Sequence, residues 1–183
     1  YTHLIVCIEQ GRSGKTTAGN SGLNASVQRV EIKTGKVSTI LQGMSRCDGI
    51  ATTPWGTVLA TEETTDGRAY EIIRPLETTG HWVANRATGD IRNAVDSTVP
   101  SESIAQRQGL PTMAWEGLAV LPSGVVIAGD ELRPGSTALD SDGGALFKFV
   151  PDSPRVSKDP ITDLRQSPLV SGRTYAMQVS CVD

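Results

Sequence analysis

The sequence predicts an all-β fold built from a repeated unit of short strands, and two observations lead to this prediction. The first is an internal repeat, because residues 48–63 align without a gap on residues 116–131, with seven of the sixteen positions identical. The second is a Pro-x-Gly turn between two apolar runs in each copy. Proline presets φ and glycine supplies the positive φ of a tight turn, so each copy is typical of a β-hairpin.

Each copy continues into a further strand, and a third, partial unit precedes them. Residues 66–73 and 142–150 both begin Asp-Gly-x-Ala and then become apolar. Upstream, residues 4–8 read as a strand and residues 27–41 as an outer hairpin. The two clear copies lie 68 residues apart, from Asp48 to Glu116. Four-stranded units at about this spacing indicate a β-propeller-like repeat of blades.

The chain has room for about three such blades. We expect a single partial propeller domain with units at approximately 1–46, 47–113 and 114–183. Closed propellers have about four to eight blades, so we expect missing blades or another chain to complete the ring. The polar stretch 76–113 is interpreted as a long loop or insertion, with a helical turn near residues 101–108.

Composition excludes several classes of partner. The net charge is -3, without the basic stripe that a nucleic-acid backbone requires. No apolar run is long enough to span a membrane. The chain begins at Tyr1 with no leader-like segment, which we interpret as a processed or partial chain. Of the three cysteines, an exported protein could pair Cys7 with Cys181, leaving Cys47 free.

Carboxylates recur at equivalent positions of the two copies. Each copy opens with one acidic residue and closes with two, and together these are Asp48, Glu62, Glu63, Glu116, Asp130 and Glu131. Pseudo-symmetry brings equivalent strand ends toward one axis, where clustered carboxylates repel one another unless a hard cation neutralises them. The pattern therefore predicts a metal site. The alternative is that these are ordinary turn carboxylates at strand ends.

Cys47 stands directly before the first of these carboxylates. A thiolate beside oxygen ligands favours iron or zinc over calcium. A cysteine in a strand can equally be a small buried hydrophobic residue. The residues alone leave both interpretations open.

The two copies also carry a resemblance to a known family. Residues 47–63 resemble the signature of the PhoX-type alkaline phosphatases and their wider relatives, which is Cys-x-Gly-Gly, then Thr-Pro-Trp-Gly-Thr and a Glu-Glu pair. Residues 115–117, 129–131 and 146–150 are similar to the family's His-Glu-Gly, Gly-Asp-Asp/Glu and Tyr-Lys-Phe-Val run. Ile50 replaces the second glycine of the first motif, and Trp115 stands where the second motif has histidine.

The resemblance implies a six-bladed propeller, exported to the bacterial periplasm or the cell exterior, that hydrolyses phosphate esters with iron and calcium in its channel. By the same resemblance Cys47 and Glu116 are iron ligands. The calcium ligands it implies are Glu62, Glu63, Asp130 and Glu131.

Two functions follow as expectations. The first is a metal-dependent phosphatase or phosphodiesterase acting on a small phosphate ester. The second is a non-catalytic, calcium-stabilised propeller module in an extracellular or envelope assembly. A calcium-dependent lactonase or esterase is physically similar, but no motif of the chain supports it.

Overall fold

The computed structural model describes residues 1–13, 22–93, 95–135, 143–157 and 159–178. Its regular elements are strands, and two single 3₁₀ turns lie at Leu164–Gln166 and Pro168–Val170. The strands, in chain order, are β1 (His3–Cys7), β2 (Ala25–Glu31), β3 (Val37–Gln42), β4 (Cys47–Thr52), β5 (Val58–Glu62), β6 (Ala69–Ile72), β7 (His81–Asn85), β8 (Asp90–Asn93), β9 (Ile104–Gln106), β10 (Trp115–Val120), β11 (Val126–Asp130), β12 (Leu146–Pro151) and β13 (Gly172–Ala176). The predicted all-β class is confirmed.

These strands form three sheets of four or five strands. The first sheet has the order β1-β2-β3-β7-β8, the second β4-β5-β6-β9 and the third β10-β11-β12-β13. Neighbouring strands are antiparallel except β3 and β7, which pair in parallel through Leu41 and His81. β4 contacts both β1 and β10. The three sheets therefore adjoin one another at β4.

The repeat seen in the sequence corresponds to the first two strands of the second and third sheets. The turn glycines Gly56 and Gly124 have φ of 81° and 93°, as the Pro-x-Gly pattern predicts. Both hairpins contain a register shift near the start of their first strand, between Cys47 and Ile50 and between Trp115 and Leu118. A β-bulge at this point re-aims side chains, and here it contains the opening acidic residues Asp48 and Glu116.

Two hydrophobic cores lie on the two faces of the second sheet. Tyr70 and Ile72 belong to the core shared with the first sheet, and Leu59, Trp115 and Phe149 belong to the core shared with the third. Every residue of β5 and β6 is buried as a result. The second sheet is thus the middle layer of three stacked sheets, and its central strands β5 and β6 are covered on both faces.

The stretch predicted as a long loop contains regular structure, so that prediction is wrong. Residues 76–113 include β7 and β8, which extend the first sheet, and β9, which is the fourth strand of the second. The predicted helical turn at 101–108 is replaced by the short strand β9. Hydrophobic alternation in this polar stretch is too short to reveal strands that are fixed by pairing with distant partners.

No helix within the described ranges is long and apolar enough to cross a membrane.

Candidate metal centre

β4 and β10 approach each other closely at Gly49. A Cβ atom at this position would lie 2.7 Å from the carbonyl oxygen of Glu116 and would also clash with Oγ1 of Thr61. Thr61 donates a hydrogen bond of 3.0 Å to the Gly49 carbonyl oxygen and so holds β5 against the same point. Only glycine allows this approach. The close contact brings acidic residues of the second and third sheets together.

Three glutamates meet beside this contact: Glu63 after β5, Glu116 in β10 and Glu131 after β11. One carboxylate oxygen of each lies within 4.8 Å of the corresponding oxygens of the other two. Glu116 is exposed, whereas Glu63 and Glu131 are partly buried. Oxygens that share a calcium ion at 2.3–2.6 Å lie up to about 5 Å apart. The three carboxylates therefore have the spacing and the chemistry to hold a hard divalent cation.

Glu63 and Glu131 share a hydrogen bond and hence a proton. The bond with Glu131, reinforced by burial, raises the pKa of Glu63 to about 7. The same bond, together with the Arg133 guanidinium 2.9 Å away, lowers the pKa of Glu131. Two neighbouring carboxylates cannot both ionise without cost, so Glu63 keeps its proton up to about pH 7.

The third glutamate is perturbed by a different neighbour. A hydrogen bond with Asp48, and then its negative charge, raises the pKa of Glu116. Asp48 is the residue of β4 that corresponds to Glu116 in the repeat. The opening carboxylates of both copies therefore lie beside each other, next to the pair formed by Glu63 and Glu131, and the centre is rich in negative charge that lacks full compensation.

Arg46 and Glu9 also belong to this centre, although neither lies in the repeated acidic pattern. Arg46 Nη2 lies 2.6 Å from Glu9 Oε1 and 2.9 Å from Glu63 Oε2, so it joins the first sheet to the acidic group. Its φ of 53° is uncommon for a residue other than glycine. A signal for Glu9 exists in the sequence, because residues 4–9 match residues 58–63 in having three apolar residues first and glutamate last.

The structure does not bring Glu62 to the cluster. Its side chain is fully buried, and Arg86 holds it in a fork, with Nε 2.9 Å from Oε1 and Nη2 2.9 Å from Oε2. The backbone N–H groups of Ser45 and Arg68 donate to the same carboxylate at 2.7 and 3.0 Å. Glu62 thus ties the start of β4 and the turn after β5 together, and its oxygens are occupied.

Asp130, the counterpart of Glu62, has a similar position. Its Oδ1 accepts hydrogen bonds from the backbone N–H groups of Ala114 and Leu132, at 3.2 and 3.1 Å. Glu62 and Asp130, the first acidic residue of each pair, therefore hold backbone N–H groups at the end of their sheet. The second, Glu63 or Glu131, extends into the cluster, as expected when successive side chains point to opposite sides.

Cys47 forms a disulfide with Cys7, with a Cα–Cα distance of 5.1 Å. This differs from the predicted pairing of Cys7 with Cys181, and Cys181 lies outside the described residues. Because β1 and β4 are neighbours, Cys7 is much closer to Cys47 than the sequence suggested. A disulfide sulfur is not a thiolate, so Cys47 does not fit the role of iron ligand that the resemblance implies.

The disulfide ties the first sheet to the second, and we expect it to stabilise the fold. The bond joins residues 40 positions apart. Loss of such a constraint on the unfolded chain costs about 2–4 kcal/mol. A Cys7→Ser, Cys47→Ser double variant should lose this amount of unfolding free energy in urea, and a reductant should destabilise the wild type equally while leaving the variant unchanged. A wild type insensitive to reductant would contradict this expectation.

The Thr-Pro-Trp-Gly-Thr motif supports the fold rather than the cluster. Trp55 and Thr57 each donate a side-chain hydrogen bond to Oε1 of Glu71, at 2.7 and 2.6 Å. Arg107 and Ser167 donate to Oε2 of the same carboxylate, at 2.6 and 2.7 Å. Glu71 is fully buried. The motif therefore builds a satisfied polar network inside the core.

Comparison of the chain with protein-family models, with curated proteins and with solved structures finds no match. The functional assignment therefore rests on the geometry and chemistry of the acidic centre.

Proposed function

We propose that this chain is part of a propeller-type domain that binds calcium at its acidic centre and acts there on a phosphate ester. The observation that carries the proposal is the convergence of Glu63, Glu116 and Glu131, from two sheets, with ligand oxygens within 4.8 Å of one another. Carboxylate oxygens at this spacing suit a hard cation such as calcium.

The propeller arrangement is supported by how the sheets stack. Three sheets of four or five strands lie in series with a hydrophobic core on each side of the middle one. β4 of the second sheet contacts both β1 of the first sheet and β10 of the third. Blades of a propeller are packed in this way around an axis lined by their innermost strands. Three blades account for part of such a ring, which further blades or another chain would complete.

Phosphate-ester hydrolysis is supported by the chemistry of the centre and by the resemblance to the PhoX-type family. A calcium ion held there would polarise phosphoryl oxygens and neutralise charge that develops during transfer. Glu63 and Glu131 would bind it with Glu116, while Asp48 would share the charge beside Glu116. Arg46 keeps a cationic group at the rim, half exposed and paired with Glu9 and Glu63.

Iron is not part of this proposal. The iron site implied by the resemblance needs the Cys47 thiolate, and Cys47 is bonded to Cys7. The disulfide supports export to the bacterial periplasm or the cell exterior, which the resemblance also implies. Disulfides persist in oxidising compartments and are rare in the cytosol.

The disulfide also favours a second candidate function, a non-catalytic propeller module stabilised by calcium. In this alternative the carboxylates bind calcium to neutralise their repulsion, and the bond between Cys7 and Cys47 holds the sheets together. The two candidates predict the same cation affinity. They differ only in whether the bound cation supports hydrolysis.

Metal analysis combined with turnover separates them. The purified protein, dialysed against calcium, should retain calcium and no iron in plasma mass spectrometry. It should hydrolyse p-nitrophenyl phosphate or its bis ester only with calcium present, and Glu116→Gln should lower the rate roughly tenfold or more. Glu77→Gln is the matched control, because Glu77 is exposed and lies near Thr52, at the end of β4 opposite Asp48. Bound calcium without hydrolysis supports the module, and a protein without calcium contradicts both.

Cation binding should release a proton near neutral pH. In the free protein the pKa of Glu63 is raised to about 7, so its folded form holds a proton that the unfolded chain has lost. This group therefore stabilises the fold below its ordinary pKa, and the contribution is lost as pH rises toward 7. Calcium favours the ionised form, so its affinity should rise between about pH 5.5 and about pH 8. Calorimetry in buffers of different ionisation enthalpy measures the released proton, and an affinity independent of pH would contradict this.

A further inference from the structure

β1 corresponds to β5 and β11 of the other two sheets. Residues 4–9, 58–63 and 126–131 each have three apolar residues first and glutamate last. Each strand is followed by a longer connection and then pairs antiparallel with the next strand of its sheet. In each case the residue before the glutamate donates a backbone hydrogen bond to the start of that next strand. The three bonds are Ile8 N to Ser26 O at 2.8 Å, Glu62 N to Arg68 O at 3.0 Å and Asp130 N to Ala145 O at 3.1 Å.

In the second and third sheets the other edge of this strand pairs with the first strand of the sheet, which is β4 or β10. The N–H of Glu63 donates to the carbonyl of Arg46, just before β4, at 2.8 Å. The N–H of Glu131 donates to the carbonyl of Ala114, just before β10, also at 2.8 Å. In the first sheet β1 is itself the edge strand, and no strand in the described ranges pairs with its outer side.

The register of β1 identifies the groups on this free edge. Ile8 donates to Ser26, and the carbonyl of Thr2 accepts from Ile32, so the even-numbered residues of β1 bond to β2. Bonding sides alternate along a strand. The N–H groups directed away from β2 are consequently those of His3, Ile5, Cys7 and Glu9.

The space beside this edge is an apolar groove. A cavity of about 800 Å³ lies between β1 and β4 and is lined in part by Leu4, Ile5, Ile50 and Ala51. Leu4 is 55% exposed. A row of unpaired N–H groups next to apolar side chains is the arrangement by which a sheet accepts an added strand, since the main chain gives affinity and the pockets give selectivity.

We propose that the free edge of β1 is a docking site for one further antiparallel strand of the same type as β4 and β10. The occupant is an extended polypeptide segment with a carboxylate and a glycine in its first residues, followed by apolar residues. This type is chosen because β4 and β10 occupy the corresponding edge in the two sheets that have it. Docked there, its carboxylate would lie toward Glu9, as Asp48 and Glu116 lie toward Glu63 and Glu131, and would extend the acidic centre to a third sheet.

A tethered strand tests the proposal on the full chain. A copy of Trp115–Val120 is fused ahead of Tyr1 through a roughly six-residue Gly/Ser linker, which keeps its effective concentration in the millimolar range. Hydrogen exchange followed by NMR should show the amides of His3, Ile5, Cys7 and Glu9 slowed roughly tenfold or more, while those of Leu4, Val6 and Ile8 are protected with or without the fusion.

The matched control is the same fusion with proline at the two positions of the added strand that copy Gly117 and Ala119. Proline cannot donate to a ladder, so this fusion should leave the four amides as they are in the unfused chain. Unchanged exchange in the first fusion would overturn the proposal. So would prior protection of the same amides in the unfused chain together with a dimer in sedimentation, because a second copy would then occupy the edge.

Discussion

Replacing Glu62 with alanine is expected to cost about 3 kcal/mol of unfolding free energy, because it removes one partner of a buried ion pair. Glu62 is fully buried, and the Arg86 side chain that remains is only 20% exposed. The backbone N–H groups of Ser45 and Arg68 also lose their acceptor. Asp66 still pairs with Arg86 at 3.0 Å, which keeps the expected loss below that of an isolated buried charge. Urea unfolding with a chelator present measures the loss.

Glu63→Gln is the matched comparison, since Glu63 is the next residue and the same side-chain type. The substitution removes the repulsion with Glu131 and disturbs only an ion pair whose Arg46 side chain is half exposed, so unfolding free energy should change by less than about 1 kcal/mol. Equal losses of unfolding free energy in the two variants would contradict the assignment of a structural role to Glu62 and a place in the acidic cluster to Glu63.

Glu71→Ala is expected to cost about 3–5 kcal/mol, the largest of the expected effects, because it leaves the buried Arg107 cation without its counterion. Arg107 is 7% exposed, and its Nε lies 2.6 Å from Glu71. Trp55, Thr57 and Ser167 also lose their acceptor inside the core. Thermal and urea unfolding both report the change.

The control for Glu71 is Glu77→Ala, which removes an exposed carboxylate and should change unfolding free energy by less than about 0.5 kcal/mol. A double variant, Glu71→Gln with Arg107→Met, removes the charge pair together and should recover part of the loss. If Glu71→Ala unfolds like Glu77→Ala, the network that joins Trp55 to Ser167 does not contribute to stability.

The strands of the repeat could be predicted because their signals are local. The Pro-x-Gly turns and the apolar runs around them specify β4, β5, β10 and β11 without reference to the rest of the chain. β7, β8 and β9 could not be predicted in the same way. They lie in a polar stretch, and the parallel pairing of Leu41 with His81 joins segments 40 residues apart. Such pairing is decided by packing rather than by local pattern.

The candidate site was predicted in part. The repeated carboxylates indicate a cluster, and Glu63, Glu116 and Glu131 do meet. The separation of Glu62 from Glu63 follows from side-chain alternation and could have been expected. The disulfide of Cys47 could not, because nothing local shows that β1 lies beside β4.

The most direct test of the acidic centre is a calcium titration of the chelator-treated protein by calorimetry near pH 8, above the Glu63 pKa of about 7. The proposal predicts saturable binding that Glu131→Gln weakens roughly tenfold or more and that Glu77→Gln leaves unchanged. It also predicts that saturating calcium raises unfolding free energy, by about 2.7 kcal/mol at a hundred times the dissociation constant. Absence of binding, or binding that Glu131→Gln does not weaken, would contradict a metal centre at Glu63, Glu116 and Glu131.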